Sequence, residues 1–205
     1  MAPERVAGCL DAVRAGGLVL VVDSAAEPPE AVIACAAARI TPAAINCMVT
    51  FGRGLVCLVL PGERMCRLGI PLIAATSHRA LPAYGASIEA RRGVSTGISV
   101  SDRATTVLAA VAPAASPADL VMPGHVTPIQ LTEGGTLVCA GLPEAASDIT
   151  RLAGMGPEVV VCTVLGKDGN LASADELDAL TAMQDLPRVT ITEVIQMRLR
   201  SDTLV

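Results

Sequence analysis

Gly93-Val-Ser-Thr-Gly-Ile-Ser-Val-Ser-Asp-Arg-Ala-Thr-Thr106 and Pro123-Gly-His-Val-Thr-Pro128 are the two stretches on which the fold of this chain turns. In the first, a loop of Gly, Ser and Thr runs into Ser101-Asp102, which caps a helix predicted to reach about Ala112. Hydroxyls, backbone N–H groups, a capped helix start and Arg103 are the parts of an anion or phosphate site. In the second, His125 sits in a loop stiffened by a proline on either side. An imidazole is the commonest general acid or base at neutral pH, so His125 is the leading catalytic candidate.

Working outward, Val6, Leu10 and Val13 recur at helical spacing and Gly16-Gly17 supply a stop, so residues 4–15 read as a helix. Leu18–Val22 and Leu55–Leu60 are unbroken apolar runs of strand length, the second placing Cys57 on a central strand. Between them lies the loop Asp23–Glu30, where Pro28-Pro29 block both helix and ladder. A strand over Val32–Ala36 and a short helix Ala43–Phe51, opened by Thr41-Pro42, follow it. Gly62–Leu68 reads as a short helix, residues 71–83 as a long surface loop and Ser87–Ala90 as a strand. Beyond the capped helix, Pro113–Pro128 reads as loop-rich. Helices are then expected over 144–155, 175–183 and 193–200, with strands over 159–165 and 189–191. Strands and helices mix without strict alternation, and the expectation is one α/β (α+β layered sandwich) domain over residues 1–205.

Composition excludes several classes. Hydrophobic residues make up 52% of the 205 and charged ones 17%, which supplies a core and rules out a disordered chain. A net charge of −5, with one Phe, one Tyr and no Trp, offers neither basic patches nor stacking rings for nucleic acid. No apolar run is long enough for a bilayer, and no basic stretch precedes an apolar one at the start. A soluble, cytoplasmic protein with no membrane or nucleic-acid partner is expected. The seven cysteines form no C-x-x-C pair, and most lie in apolar runs, so they read as reduced and mostly buried.

Taken in order, the apolar strand with its acidic loop, Gly54-Leu-Val-Cys57, the Gly93–Thr106 stretch, Pro123-Gly-His-Val-Thr-Pro128, Pro143-Glu-Ala-Ala146 and Asp168-Gly169 resemble the 3,4-dihydroxy-2-butanone 4-phosphate synthase family. That family converts ribulose 5-phosphate into a four-carbon ketone phosphate and formate. The resemblance runs from about residue 5 to residue 200. It implies a homodimer with active sites near the interface, and substrate contacts at Asp23, Thr96, Ser99, Asp102, Arg103, Thr106, Leu142 and Thr163. His78, Arg79 and Tyr84 fall where the family's loop approaches substrate.

The departures fall on positions that the resemblance makes catalytic. The family's acidic loop supplies an Arg, a metal-binding Glu and further carboxylates; a gapless reading leaves Asp23 and Glu27, with Ala26, Pro29 and Ala31 at the other places. A one-residue slip at Pro28-Pro29 returns Glu30 to an acidic position. Leu142 stands where the family has its metal-binding His, Thr163 where it has a carboxylate, and Met122 where it has an Arg. Mg²⁺ wants hard oxygen ligands. The expectation is therefore a repurposed enzyme with no metal and no cofactor, working by acid–base chemistry of His125, Cys57 and Glu27. Isomerisation, cyclisation, dehydration or carbon–carbon cleavage beside a carbonyl, on a less polar small molecule, would suit those groups. A non-catalytic ligand-binding dimer partner and an authentic synthase are the alternatives.

Overall fold

Alternation within the strands decides the layers. In β1 (Val19–Asp23), Leu20 and Val22 point to one face of the sheet, Val19 and Val21 to the other, and all four are buried. The same two-faced burial holds in β2 (Glu30–Ala36) and β7 (Val159–Val164), the signature of a sheet covered on both sides. In the computed structural model, which describes residues 2–74 and 82–202, the sheet order is β4-β6-β3-β7-β2-β1-β8. Here β3 is Arg53–Pro61, β4 Ala83–Tyr84, β6 Leu120–Leu131 and β8 Arg188–Thr190; β5 (Ile88–Ala90) pairs with β6 off that path.

One face is packed by α2 (Pro42–Cys47), α3 (Gly62–Arg67), α4 (Val100–Val111) and α6 (Ala174–Gln184), through Ile45, Met65, Val107 and Leu177 among others. The opposite face carries α1 (Ala2–Arg14), α5 (Leu142–Leu152) and α7 (Ile191–Asp202), through Val6, Ile149 and Val194. Central side chains such as Leu58 and Ile33 are fully buried, each contributing about 1.5–3 kcal/mol. The layered α/β expectation is met. No helix among the described residues is long and apolar enough to cross a membrane.

The helix starts follow their caps: Thr41 Oγ1 accepts from Ala44 N ahead of α2, and Ser99 Oγ accepts from Asp102 N ahead of α4. β6 is the main departure. Residues 113–128 were expected to be loop-rich, yet Leu120–Leu131 is the longest strand of the sheet. Its prolines do not stop it, for two local reasons. Met122–His125 bulge out between the pairs Val121–Glu89 and Val126–Ile88, which lifts Pro123 off the ladder. Pro128 needs only its carbonyl, which accepts from Gly85 N at 2.9 Å, while the strand runs parallel to β3 with Pro128 opposite Leu58.

Candidate active site

Polar side chains gather in two places. The first is a cavity of about 540 Å³ on the α5 side of the sheet. Asp23 and Glu30, the last residue of β1 and the first of β2, are direct cross-strand partners and both line it. Cys57 on β3, Thr163 on β7, Gln130 on β6 and Tyr84 on β4 form the floor and one wall, and Gly141–Glu144 at the start of α5 form another. Val32, Leu55 and Ile129 supply the apolar surface.

The ionisation of this cavity follows from burial. Burial, then the neighbouring Cys162, pushes the Cys57 thiol up to about 12, so it keeps its proton and serves as a weak donor. Burial also raises the Tyr84 phenol. Glu144 is almost fully buried, and its Oε1 accepts from Thr132 N at 3.3 Å. Asp23 Oδ1 accepts from Ala25 N at 3.0 Å; among the described residues no cation pairs with Asp23 or Glu30. Two carboxylates directly opposite one another repel unless a cation lies between them.

The second place is the start of β6. His125 Nδ1 lies 2.6 Å from Glu89 Oε2, with the Glu89 side chain 11% exposed and the imidazole 42% exposed. The Gly93–Arg103 segment wraps this pair. Asp102 Oδ2 accepts from Ser95 Oγ at 2.9 Å and from Gly97 N at 3.0 Å, closing the loop on itself. A Cβ on Gly97 would fall inside the Glu89 carboxylate, and one on Gly124 inside the Ile88 backbone, so both glycines are required by close approach.

These positions sort the expected residues. Asp23, Cys57, Tyr84, Leu142 and Thr163 line the cavity, whereas the exposed Glu27 does not, and Glu30 takes the place beside Asp23. His125 is not among the cavity-lining residues. Ser99 and Asp102 spend their oxygens on the cap and the loop, and Thr106 Oγ1 donates to Asp102 O and accepts from Ala90 N. Thr96 is exposed on the same loop. Arg103 is half-buried, its Nε without a hydrogen-bond partner. His78 and Arg79 lie outside the described residues. Sequence reasoning passed over Glu89, although an acid inside the short apolar strand Ile88-Glu89-Ala90 was the available signal.

The magnesium that the resemblance implies can be tested against these donors. No cluster of three His, Cys, Asp or Glu able to hold a metal occurs among the described residues. Mg²⁺, however, commonly takes only one or two carboxylates and completes its shell with water and substrate oxygens. The unpaired Asp23–Glu30 pair fits that pattern, with hard oxygens on the cavity wall; Leu142 adds nothing to it.

Fold and site together define an α/β protein built around an acid-lined small-molecule cavity. The sequence profile described as 3,4-dihydroxy-2-butanone 4-phosphate synthase matches residues 7–197, and the chain belongs to that family. A synthase from Ralstonia nicotianae is 40% identical over 96% of this chain and 87% of its own length. One from Photobacterium phosphoreum is 38% identical over 96% of this chain and 54% of its own. The crystal structure of a two-domain synthase from A. baumannii superposes with a TM-score of 0.89 at 37% identity, covering 95% of this chain and 57% of that one. A synthase structure in complex with two magnesium ions gives 0.85 at 29% identity, covering 96% and 97%. The chain spans about half the length of several curated relatives that it matches. Relatives this similar over nearly the whole chain, and named for the synthase, overturn the expectation of an enzyme turned to other chemistry on a less polar molecule.

Proposed function

We propose that this chain performs the synthase reaction of its relatives, taking ribulose 5-phosphate to a four-carbon ketone phosphate and formate. Identity of 40% across nearly the whole chain carries the reading. The cavity is large enough for a pentulose phosphate. Gly141, the N-cap of α5, makes no side-chain cap and Pro143 has no N–H, so the Leu142 and Glu144 N–H groups at the start of that helix are left for the phosphate. Asp23 and Glu30 would hold magnesium, and the ion when bound would polarise the ketone and its neighbouring hydroxyls. Tyr84 and Cys57 donate hydrogen bonds to substrate oxygens, while His125 moves the proton.

His125 reaches the substrate through a homodimer. Exposed apolar side chains flank both places, Leu55 at the cavity and Ile98 and Met122 beside His125, and such side chains favour an interface. One chain's His125 then faces the partner's cavity. Mixing His125→Ala chains with chains carrying Asp23→Asn and Glu30→Gln should restore turnover that neither has alone; no recovery would break the shared-site arrangement. We also place the protein in the cytoplasm, where its free cysteines, Cys66 and Cys139 exposed among them, stay reduced.

Formate release from ribulose 5-phosphate with Mg²⁺ is the direct assay. A second reading, a non-catalytic homologue that binds the sugar phosphate, is favoured by one observation: Leu142 and Thr163 face the cavity where the family resemblance asks for an imidazole and a carboxylate. Saturable binding of ribulose 5-phosphate with no formate would select it.

A further inference from the structure

The Glu89–His125 pair lies outside the cavity, and nothing in the family resemblance accounts for Glu89. Its carboxylate is almost buried, yet its near neighbour is an imidazole nitrogen at 2.6 Å rather than an arginine or lysine. An ionised carboxylate only accepts, so in the neutral ring the hydrogen sits on Nδ1 and Nε2 is left as a bare lone pair. That is the form required of a proton acceptor. Three features of the backbone enforce the contact. The bulge at Met122–His125 turns the imidazole back onto β5. Gly124 lets β6 pass against the Ile88 backbone, where a side chain would collide. Gly97, in a left-handed conformation at φ 85°, lets the loop close on the Glu89 carboxylate with no atom to spare. Asp102 and Ser95 hold that loop shut.

We propose that Glu89 is the positioning residue for His125, fixing the tautomer with hydrogen on Nδ1 and leaving Nε2 free to accept a proton from substrate. The Gly93–Arg103 segment is then a clamp on a carboxylate, and the exposed ring edge is the working edge. This rests on the role given to His125 above, but the tautomer measurement that tests it does not.

The chain has two histidines, so imidazole nitrogen NMR above neutral pH can be read residue by residue, with His78→Gln assigning the other signal. In the wild-type protein the expected His125 pattern is a protonated Nδ1 and an unprotonated Nε2; the reverse pattern, or an even mixture, overturns the proposal. In Glu89→Ala the preference should disappear, and its persistence would likewise overturn it. Glu89→Gln keeps the shape and serves as the folding control; it should lower kcat for formate release by about 10–100-fold, as loss of an orienting partner does elsewhere, with KM changed less than about threefold. A KM effect with kcat intact would make Glu89 a binding residue and sink the idea. If the wild-type protein releases no formate, the proposed function falls, while the nitrogen shifts still decide the tautomer.

Discussion

The cavity and the His125 cluster are built by opposite means. In the cavity, functional atoms hang from regular strands and from the first turn of a helix, so Leu142 or Thr163 can replace other residues without moving any backbone. Around His125 the backbone itself is the device: a bulge, two glycines that admit no side chain, and a loop closed on Asp102. Side chains on a rigid frame are easily exchanged; a frame that clamps a side chain is not. Most departures from the family resemblance lie in the cavity and its approaches, with Met122 on the bulge beside His125, while Glu89, Gly97, Gly124 and His125 form one interlocked unit.

The largest contrast expected between the two regions is one of proton affinity. With its thiol pushed up to about 12, Cys57 should react with iodoacetamide at neutral pH roughly 1,000-fold more slowly than a free thiol, and should be labelled after the exposed Cys66 and Cys139, because the thiolate is the reactive form. Peptide mass spectrometry after a short exposure checks this. Rapid labelling of Cys57 would give the cavity a nucleophile of its own and end the division of labour in which His125 alone accepts a proton.

Stability should divide the same way. Gly124→Ala must push β6 away from Ile88, and overpacking of this kind costs about 1–3 kcal/mol. Thr163→Ala, at a partly exposed cavity wall, should stay within about 0.5 kcal/mol. Urea denaturation midpoints measure both. Equal losses would mean that the cavity is clamped as tightly as the histidine.

How much of this was legible in the sequence follows from the same physics. The apolar runs at Leu18–Val22 and 159–165 and the capping chemistry at Thr41 are local signals, and the elements they predict are present, whereas the cap read at Ser101-Asp102 lies two residues earlier, at Ser99. The strand over Leu120–Leu131 was not legible, because Pro123 and Pro128 argue against a ladder unless a bulge and a parallel neighbour are already known. The site was half legible for a related reason. Counting along Asp23–Glu30 cannot say which carboxylate turns inward; only the register of β1 against β2, pairing Asp23 with Glu30, selects Glu30 over Glu27.

That register can be sharpened with a metal. Mn²⁺ standing in for Mg²⁺, followed by its electron spin resonance signal in the presence of ribulose 5-phosphate, should bind wild type, and Asp23→Asn with Glu30→Gln should abolish binding. Glu27→Gln should leave it unchanged, since that side chain does not line the cavity. Leu142→His would add an imidazole to the wall of the same cavity, and a tightening of about tenfold, or 1.4 kcal/mol, is expected. Indifference to Asp23 and Glu30 would remove the carboxylate pair from the site.

The smallest effect concerns the clamp itself. The Ser95 hydroxyl above all, then the Gly97 and Ser95 backbone and the Ser99 hydroxyl, hold the Asp102 carboxyl below its usual range. A carboxyl depressed in the folded state stabilises the fold above its unfolded value near 3.8 and loses that contribution as pH falls through the lower folded value. Asp102→Asn should therefore lower the melting temperature at neutral pH, with the gap to wild type closing as the solution is taken below about pH 4. The glycines and the bulge act at every pH, so the His125 tautomer should survive this change partly intact. A gap that stayed constant into acid would assign the Asp102 contribution to shape rather than charge, and the clamp would be steric throughout.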